Sequence, residues 1–516
     1  MSRLDVTRLA RWFILIFGGV LVTLWVIAAV GSRTSVLQQA LMRAVNDHLE
    51  SDVELANFHV STFPSLSVTG DGLRLRFQHQ RGNPPLIEIA HFSVDGGILG
   101  LLHRPRRFRT VRLQGLKINV PARGIQKDGG NDASSSSSPR EGRPIIDHLV
   151  SNDAELVILP KTSGKEPKRF AIHTLQMESI GFDRAMPFGA TLTNPTPRGS
   201  IETSGMFGPW RAADPGSTPL IGSYRFSHAD LNTIHGLAGT LSSSGGFTGE
   251  LARIDVKGKT HTPDFSVDVA GQPVPLDTTF HAIVDGLNGD TELERVDGRF
   301  LHTSLVARGA VVGGPRHHGR TVKLDVAMAD GRIEDVLKLA VKSATPVMTG
   351  ALSLHTKLLL PPGEEKVADR LQLDGRFDVA TAHFSSAEVR GKLRELSARS
   401  RGKDVSEVDA RVVSNLRGRF TLGHGVVRFS SLEFTVPGAD VRLAGTYGLR
   451  TGALDFHGTL RMRATVSQAA GGGIKSWLLK VIDPLFRKKG AGAILPIKIT
   501  GTREAPKFGV DIGKVF

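Results

Sequence analysis

Residues 452–466 read GALDFHGTLRMRATV. Leu454, Phe456, Leu460, Met462, Ala464 and Val466 share one parity, and Asp455, His457, Thr459, Arg461, Arg463 and Thr465 share the other. This is the period of a β-strand with one face in water and one against apolar matter. The texture recurs along most of the chain. DFSVDVAG sets Phe265, Val267 and Val269 against Ser266 and Asp268, and RLQLDGRFDV sets Leu371, Leu373, Phe377 and Val379 against Gln372, Asp374, Arg376 and Asp378. VVRFSSLEFTV and ADVRLAGTYG continue it, and many such runs end in a glycine turn: VKGK, LDGR, LAGT, FHGT, ITGT. With 58 Gly and 26 Pro in 516 residues, the composition suits many short strands joined by turns. Roughly 20–25 strands are expected, from strand and turn lengths of this kind. Helices to cover their apolar faces are few. A sheet so built must close on itself, pair with a second sheet, or hold something else.

One segment breaks the rhythm. WFILIFGGVLVTLWVIAAV, Trp12 to Val30, carries no charge. At about 1.5 Å per residue it spans roughly 28 Å, the hydrocarbon thickness of a bilayer. Arg3, Arg8 and Arg11 precede it while Arg33 and Arg43 follow, a weak bias towards a cytoplasmic N-terminus. The alternative is a cleaved signal peptide ending near Ala29-Val30-Gly31, but the run is longer than the usual apolar core of such signals. The reading is a retained anchor, with everything after Gly31 beyond the membrane.

Three helices are expected after it. Leu37, Leu41, Val45 and Leu49 form one stripe between residues 34 and 50, and GGILGLL at 96–102 reads as a short crossover. In DGRIEDVLKLAVK (330–342), Ile333, Val336, Leu337 and Ala340 share a side. In 473–492, Trp477, Leu478, Val481, Ile482, Leu485 and Phe486 are apolar, Lys475, Lys480, Arg487, Lys488 and Lys489 are basic, and Pro484 should kink the helix. That last helix either caps the end of a sheet or lies on an anionic membrane, with Trp477, Leu478, Phe486, Lys488 and Lys489 as the contacts. These signals divide the chain into a stub and transmembrane anchor (1–33), a helix and β region (34–123), a Ser-rich low-complexity linker (124–144), a central β region (145–329), a helix with a second β region (330–472), and the basic helix with terminal strands (473–516).

Catalytic patterns do not emerge. The chain has no Cys, so it has neither disulfides nor thiolate metal sites. No HExxH occurs among its 18 His, and His317-His318 lies in a Gly-rich turn. KGKT at 257–260 resembles the tail of a phosphate loop, but Arg253 stands where the motif needs its first glycine. LSSSGG (241–246) lacks the frame of a nucleophile elbow. The basic run HRPRRFRTVR (103–112) has the charge to bind phosphates, but the preferred reading is a solvated loop between crossover and strand. No enzyme activity, metal or cofactor is expected. The net charge of +15 suits nucleic acid, an anionic membrane or acidic headgroups. Only 6% of residues are aromatic, which argues against stacked single strands, and export argues against any nucleic-acid partner.

SDVELANFHVSTFPSLSVTGDGLRLR (51–76) resembles the N-terminal part of AsmA-like proteins, and TNPTPRGSIETSGMFGPWRAADPGSTPLIGSYRFSHADL resembles their middle region. GELARIDVKGKTHTPDFSVDVAG, VPLDTTFHAIVDGLNGDTELERVDGRF, EDVLKLAVK, LSARSRGK and LPIKITGTREAPKFGVD fit the same family, the last through its G-T-x-x-x-P-K from Gly501 to Lys507. The resemblance covers most of the chain outside the Ser-rich segment. It implies a bacterial envelope protein, anchored in the inner membrane with its bulk in the periplasm. It also implies kinship with bridge-like lipid-transfer proteins, whose long curved β-sheet forms a groove that shelters acyl chains. Family members are linked to phospholipid movement towards the outer membrane and to its integrity, and they bring no catalytic residues.

The expectation is therefore a mainly β chain with an elongated, curved, antiparallel sheet forming an open apolar groove, one N-terminal transmembrane helix and a few short capping helices. Its expected partners are phospholipid or another envelope lipid, the inner membrane through residues 12–30, and an outer-membrane or periplasmic protein. Candidate groove residues are Phe265, Val267, Leu371, Leu373, Phe377, Leu454, Phe456, Leu460 and Met462. The rival expectation is a periplasmic scaffold for outer-membrane biogenesis built from closed β-sandwiches.

Overall fold

The computed structural model describes residues 51–61, 66–77, 85, 87–96, 107–120, 145–158, 168–181, 184–209, 211, 214–286, 288–313, 319–343, 345–401, 403–407, 414–463 and 494–510. The expected anchor at 12–30, the helix at 34–50, the crossover after Gly96, the Ser-rich segment, His317-His318 and the helix at 473–492 lie outside them. Among the described residues no helix is long and apolar enough to cross a membrane. Among the described residues the fold is mainly β, 72% strand, open and antiparallel but for one strand pair, and the described helices cover only a small part of the sheet surface.

The chain divides into two compact units. The first runs to Ala229 and includes Ser242–Gly258 and Ile283–Gly289; the second holds Asp230–Leu241, Lys259–Ala282 and everything from Asp290. The first unit contains β1 (Ser51–Glu54), β2 (Asn57–Ser61), β3 (Leu66–Phe77), β4 (Ile87–Gly96), β5 (Arg107–Val120), β6 (Ile145–Ile158), β7 (Lys168–Ile180), β8 (Met186–Pro195), β9 (Arg198–Phe207) and nearly all of β10 (Pro219–Asp230). β11 (Leu237–Ala238) belongs to the second unit, while β12 (Thr240–Glu250), β13 (Arg253–Val267) and β14 (Val274–Val284) contribute residues to both.

In the first unit β1 and β2 both pair with β3, and neighbours then follow chain order through β9. β5 and β6 run parallel. Parallel neighbours need a crossover of a dozen or more residues, and the Ser-rich segment lies within that connection. It therefore joins adjacent strands of one unit rather than two domains. Arg107–Arg112, read from sequence as part of a loop, open β5.

On β3 the buried positions run Val68, Leu73 and Leu75; on β4 they run Ile89, Phe92 and Val94. Both sets slip parity by one residue. Gly72 (φ +65°) and Gly115 (φ +64°) flank Ala90 at this slip, a line of extra residues across three strands. Such irregularities bend a sheet while keeping its apolar set on one face.

The second unit adds β15 (Thr291–Phe300), β16 (Thr303–Gly313), β17 (Arg320–Arg332), β18 (Met348–Leu360), β19 (Gln372–Phe384), β20 (Ser414–Gly423), β21 (Val426–Val436), β22 (Ala439–Gly448), β23 (Ala453–Met462), β24 (Ile494–Thr502) and β25 (Pro506–Val510). From β15 to β25 each strand pairs antiparallel with the next. Asp330 to Arg332 belong to β17, so the region boundary expected at 329/330 falls inside a strand.

Among the described residues three short helices interrupt this ladder: α1 (Ile333–Ala340), α2 (Val367–Arg370) and α3 (Ala387–Ser400). α1 leaves β17 and α3 leaves β19 at the same end of the sheet, where Arg332 opposes Ala351 and Ala382 opposes Ser414. α1 packs Ile333, Val336 and Leu339 against Phe300, Met328, Leu352 and Val379. Its inward stripe thus includes Leu339, which the sequence reading left out. Buried Asp335 ties α1 down by accepting from the His302 amide and the Thr303 hydroxyl, both at 2.9 Å. α3 was not expected. Its fully buried side chains, Ser397, Ala398 and Ser400, are small and partly polar, and only Val389, Leu393 and Leu396 mark an apolar stripe, with Leu396 packed against the sheet. Ser397 Oγ donates to the Pro437 carbonyl at 2.8 Å and holds it in place.

Candidate functional site

The registers of the second unit place its apolar side chains in four rows across the sheet. One row is Leu358, Leu373, Leu422, Val427, Tyr447 and Leu454, ending at Gly501 and Pro506. The next is Thr356, Gly375, Phe420, Phe429, Gly445, Phe456, Ile499 and Phe508. The third is Leu354, Phe377, Gly418, Leu432, Leu443, Gly458, Ile497 and Val510, and the fourth is Leu352, Val379, Leu416, Phe434, Val441, Leu460 and Leu495. No charged residue enters any row. The opposite parity carries Asp374, Arg376, Asp378, Arg417, Arg419, Arg428, Arg442, Asp455 and Arg461, all exposed.

Four phenylalanines cluster at the centre. Phe377 lies 6.1 Å from Phe420 and 6.2 Å from Phe429 between ring centroids, and Phe429 lies 5.7 Å from Phe456. These are tilted or edge-on contacts, the arrangement the ring quadrupoles favour. Gly418 makes room for them: a Cβ there would stand 2.9 Å from the Phe377 ring.

Coverage is uneven along the strands. At the end carrying α1, Leu352 is 3% and Val379 0% exposed, while Leu416, Phe434 and Leu460 of the same row are half-buried. Away from it, Leu358, Leu373, Phe420, Val427, Phe429, Leu454 and Ile499 are only half-buried. Phe508, on β25, is 59% exposed.

The expected groove residues divide accordingly. Leu373, Phe377, Leu454, Phe456 and Leu460 fall in the rows, Phe456 being buried and the other four half-buried. Met462 faces Ala439 and is buried beyond the fourth row. Leu371 is not on β19; it ends α2, its amide donating to the Val367 carbonyl at 2.8 Å. Phe265 packs against the cluster beneath α1, and Val267 pairs with Leu237. Trp477, Leu478, Phe486, Lys488 and Lys489 lie outside the described residues.

Phe420, Phe429 and Ile499 were not singled out from sequence. Phe429 was obscured by a phase slip: Phe429 opposes Gly445 and Leu432 opposes Leu443, so two serines, Ser430 and Ser431, face one residue, Ala444. A β-bulge of this kind shows in sequence as a broken alternation. No known family's profile matches this chain, and neither a curated protein nor a solved structure does.

Proposed function

We propose that this chain is a non-enzymatic lipid carrier of the AsmA-like type, held in the inner membrane by residues 12–30, with its sheet in the periplasm sheltering phospholipid acyl chains on their way to the outer membrane. The observation that supports this reading is the set of four uncharged rows from β18 to β25, half-covered over much of their length. An apolar face of that breadth needs an occupant other than water. Acyl chains suit it because the rows offer greasy contact and no specific polar partner. A two-chain lipid with about 30 methylenes gains on the order of 20 kcal/mol from burial, at roughly 0.8 per CH₂. A bilayer gives the same gain, so the face needs only to match it for lipid to move on and off at little net cost.

The reading is tested by detergent-free purification of residues 34–516 and native mass spectrometry. The expected result is phospholipid co-purifying with the folded protein, and its loss in Leu460→Glu without unfolding. Lipid-free protein, together with unfolding of Leu460→Glu, would instead favour a scaffold with dry cores.

A further inference from the structure

The other face of the same sheet carries a feature that the lipid reading does not use. Arg376 on β19 stands directly opposite Arg419 on β20, and opposite His355 on β18 on its other side. Like charges facing each other across a ladder repel. Acidic groups nearby do not relieve this pair. Glu433 accepts from Arg417 Nε at 2.7 Å and has Arg442 Nε at 3.5 Å on its other oxygen. Asp325 holds His355 Nε2 at 2.9 Å. Asp378 stands opposite Arg417, and Asp374 opposite Lys357. Among the described residues neither Arg376 nor Arg419 has a hydrogen bond or an ion pair of its own.

Arg376 and Arg419 border a depression of about 410 Å³, lined also by Ser353, His355, Asp378, Arg417, Ser431 and Glu433; its three arginines outnumber the two carboxylates, and Glu433 is already held by Arg417 and Arg442. The bulge at Ser430 and Ser431 lies beside it: Ser431 opposes Arg419, and the register shifts before Phe420 meets Phe429. Bulges recur next to binding sites because they re-aim side chains.

We propose that this depression binds a phosphate ester, with Arg376 and Arg419 as its two forks and the Ser431 hydroxyl at its rim. A guanidinium presents paired N–H donors that match phosphate oxygens bidentately, and two forks facing each other surround one anion. The anion also removes the repulsion between them. The phosphate belongs either to a soluble ester or to a lipid headgroup, and the chemistry is the same in both. The site lies on the solvent parity of the strands and is independent of what occupies the apolar rows.

The test is thermal unfolding of the full chain in nonionic detergent, with inorganic phosphate added at constant ionic strength against chloride. Phosphate should raise the melting temperature of the unaltered protein. Arg376→Gln and Arg419→Gln should each melt higher than the unaltered protein without phosphate, because a repulsion is gone, and should lose most of the phosphate-dependent rise. In the double variant the phosphate dissociation constant should increase at least tenfold. Arg428→Gln, flanked by Thr421 and Thr446 on the same face, should keep the rise. Repeating the titration with glycerol 3-phosphate and with dihexanoyl phosphatidylglycerol identifies the source, the tighter ligand being the one the site takes. No phosphate effect in the unaltered protein, or an equal loss in Arg428→Gln, would overturn the site.

Discussion

Two stretches of this chain share one sequence texture and differ in what covers them. On β3 to β5 the apolar set is dry: Val68, Leu75, Ile89, Phe92, Val94, Val111, Leu113 and Leu116 are each no more than 5% exposed. On β19 to β24 the equivalent set is mixed: Leu422, Leu443, Phe456 and Leu495 are buried, while Leu373, Phe420, Phe429, Leu454 and Ile499 are half-buried. Alternation decides which side of a strand is apolar, and a one-residue slip would turn the whole set over. It does not decide what lies against that side. A dry set behaves as a core, where volume and charge are tightly constrained. A partly covered set can rehydrate, which is what a surface that takes up and releases an apolar ligand requires.

The largest expected difference is for a buried charge. Val111→Asp should cost more than about 4 kcal/mol, because the carboxylate has no water and no partner in the dry set. Leu373→Asp should cost only about 1–2 kcal/mol, its site being open to solvent. Urea unfolding followed by fluorescence checks both, and equal losses would erase the distinction. Removal of a ring comes next. Phe92→Ala should cost about 3–5 kcal/mol, as for a fully packed ring, and Phe420→Ala about 2–3 kcal/mol, its ring being only partly covered.

The cap at the dry end of the second unit gives a smaller effect. Asp335→Ala leaves the Thr303 hydroxyl and the His302 amide without their acceptor and should cost about 1–3 kcal/mol. Hydrogen exchange should then speed up in α1 and in the adjoining ends of β17 and β18, while β24 and β25 stay as they were. The smallest effect belongs to the solvent face. Glu433→Gln weakens the pairs with Arg417 and Arg442, both exposed, and should change stability by less than about 1 kcal/mol, less still in high salt.

Much of the second unit could be read in advance because its strands keep parity between their bulges. Leu373, Phe377, Leu454 and Leu460 were placed on the apolar side by counting alone, opposite Asp374, Arg376, Asp455 and Arg461, and that is where they stand. The failures have physical causes. Leu371 continues the alternation of β19 backwards, but a turn of helix ends there, and parity carries no signal for where a strand begins. Phe429 was hidden by the Ser430–Ser431 bulge, which shifts the phase within one strand. α3 was missed because its fully buried residues are serine and alanine, and Val389, Leu393 and Leu396 are a thin stripe among charged neighbours. Ser397 makes up for this with a hydrogen bond that only the tertiary arrangement provides. The pairing of Arg376 with Arg419 depends on register between strands about forty residues apart, which alternation within each strand leaves open.

The central claim is that the half-covered rows of the second unit hold lipid, and site-specific photo-crosslinking tests it most directly. A photoreactive side chain would replace Phe420, Leu454 or Leu460 in the rows, and Thr421 or His457 on the opposite parity, in the full chain in cells. Crosslinked protein would be purified and its adducts identified by mass spectrometry. The account predicts phospholipid adducts at Phe420, Leu454 and Leu460 and none at Thr421 or His457. Adducts of equal yield at both parities, or none at the three row positions in protein that remains folded, would contradict it.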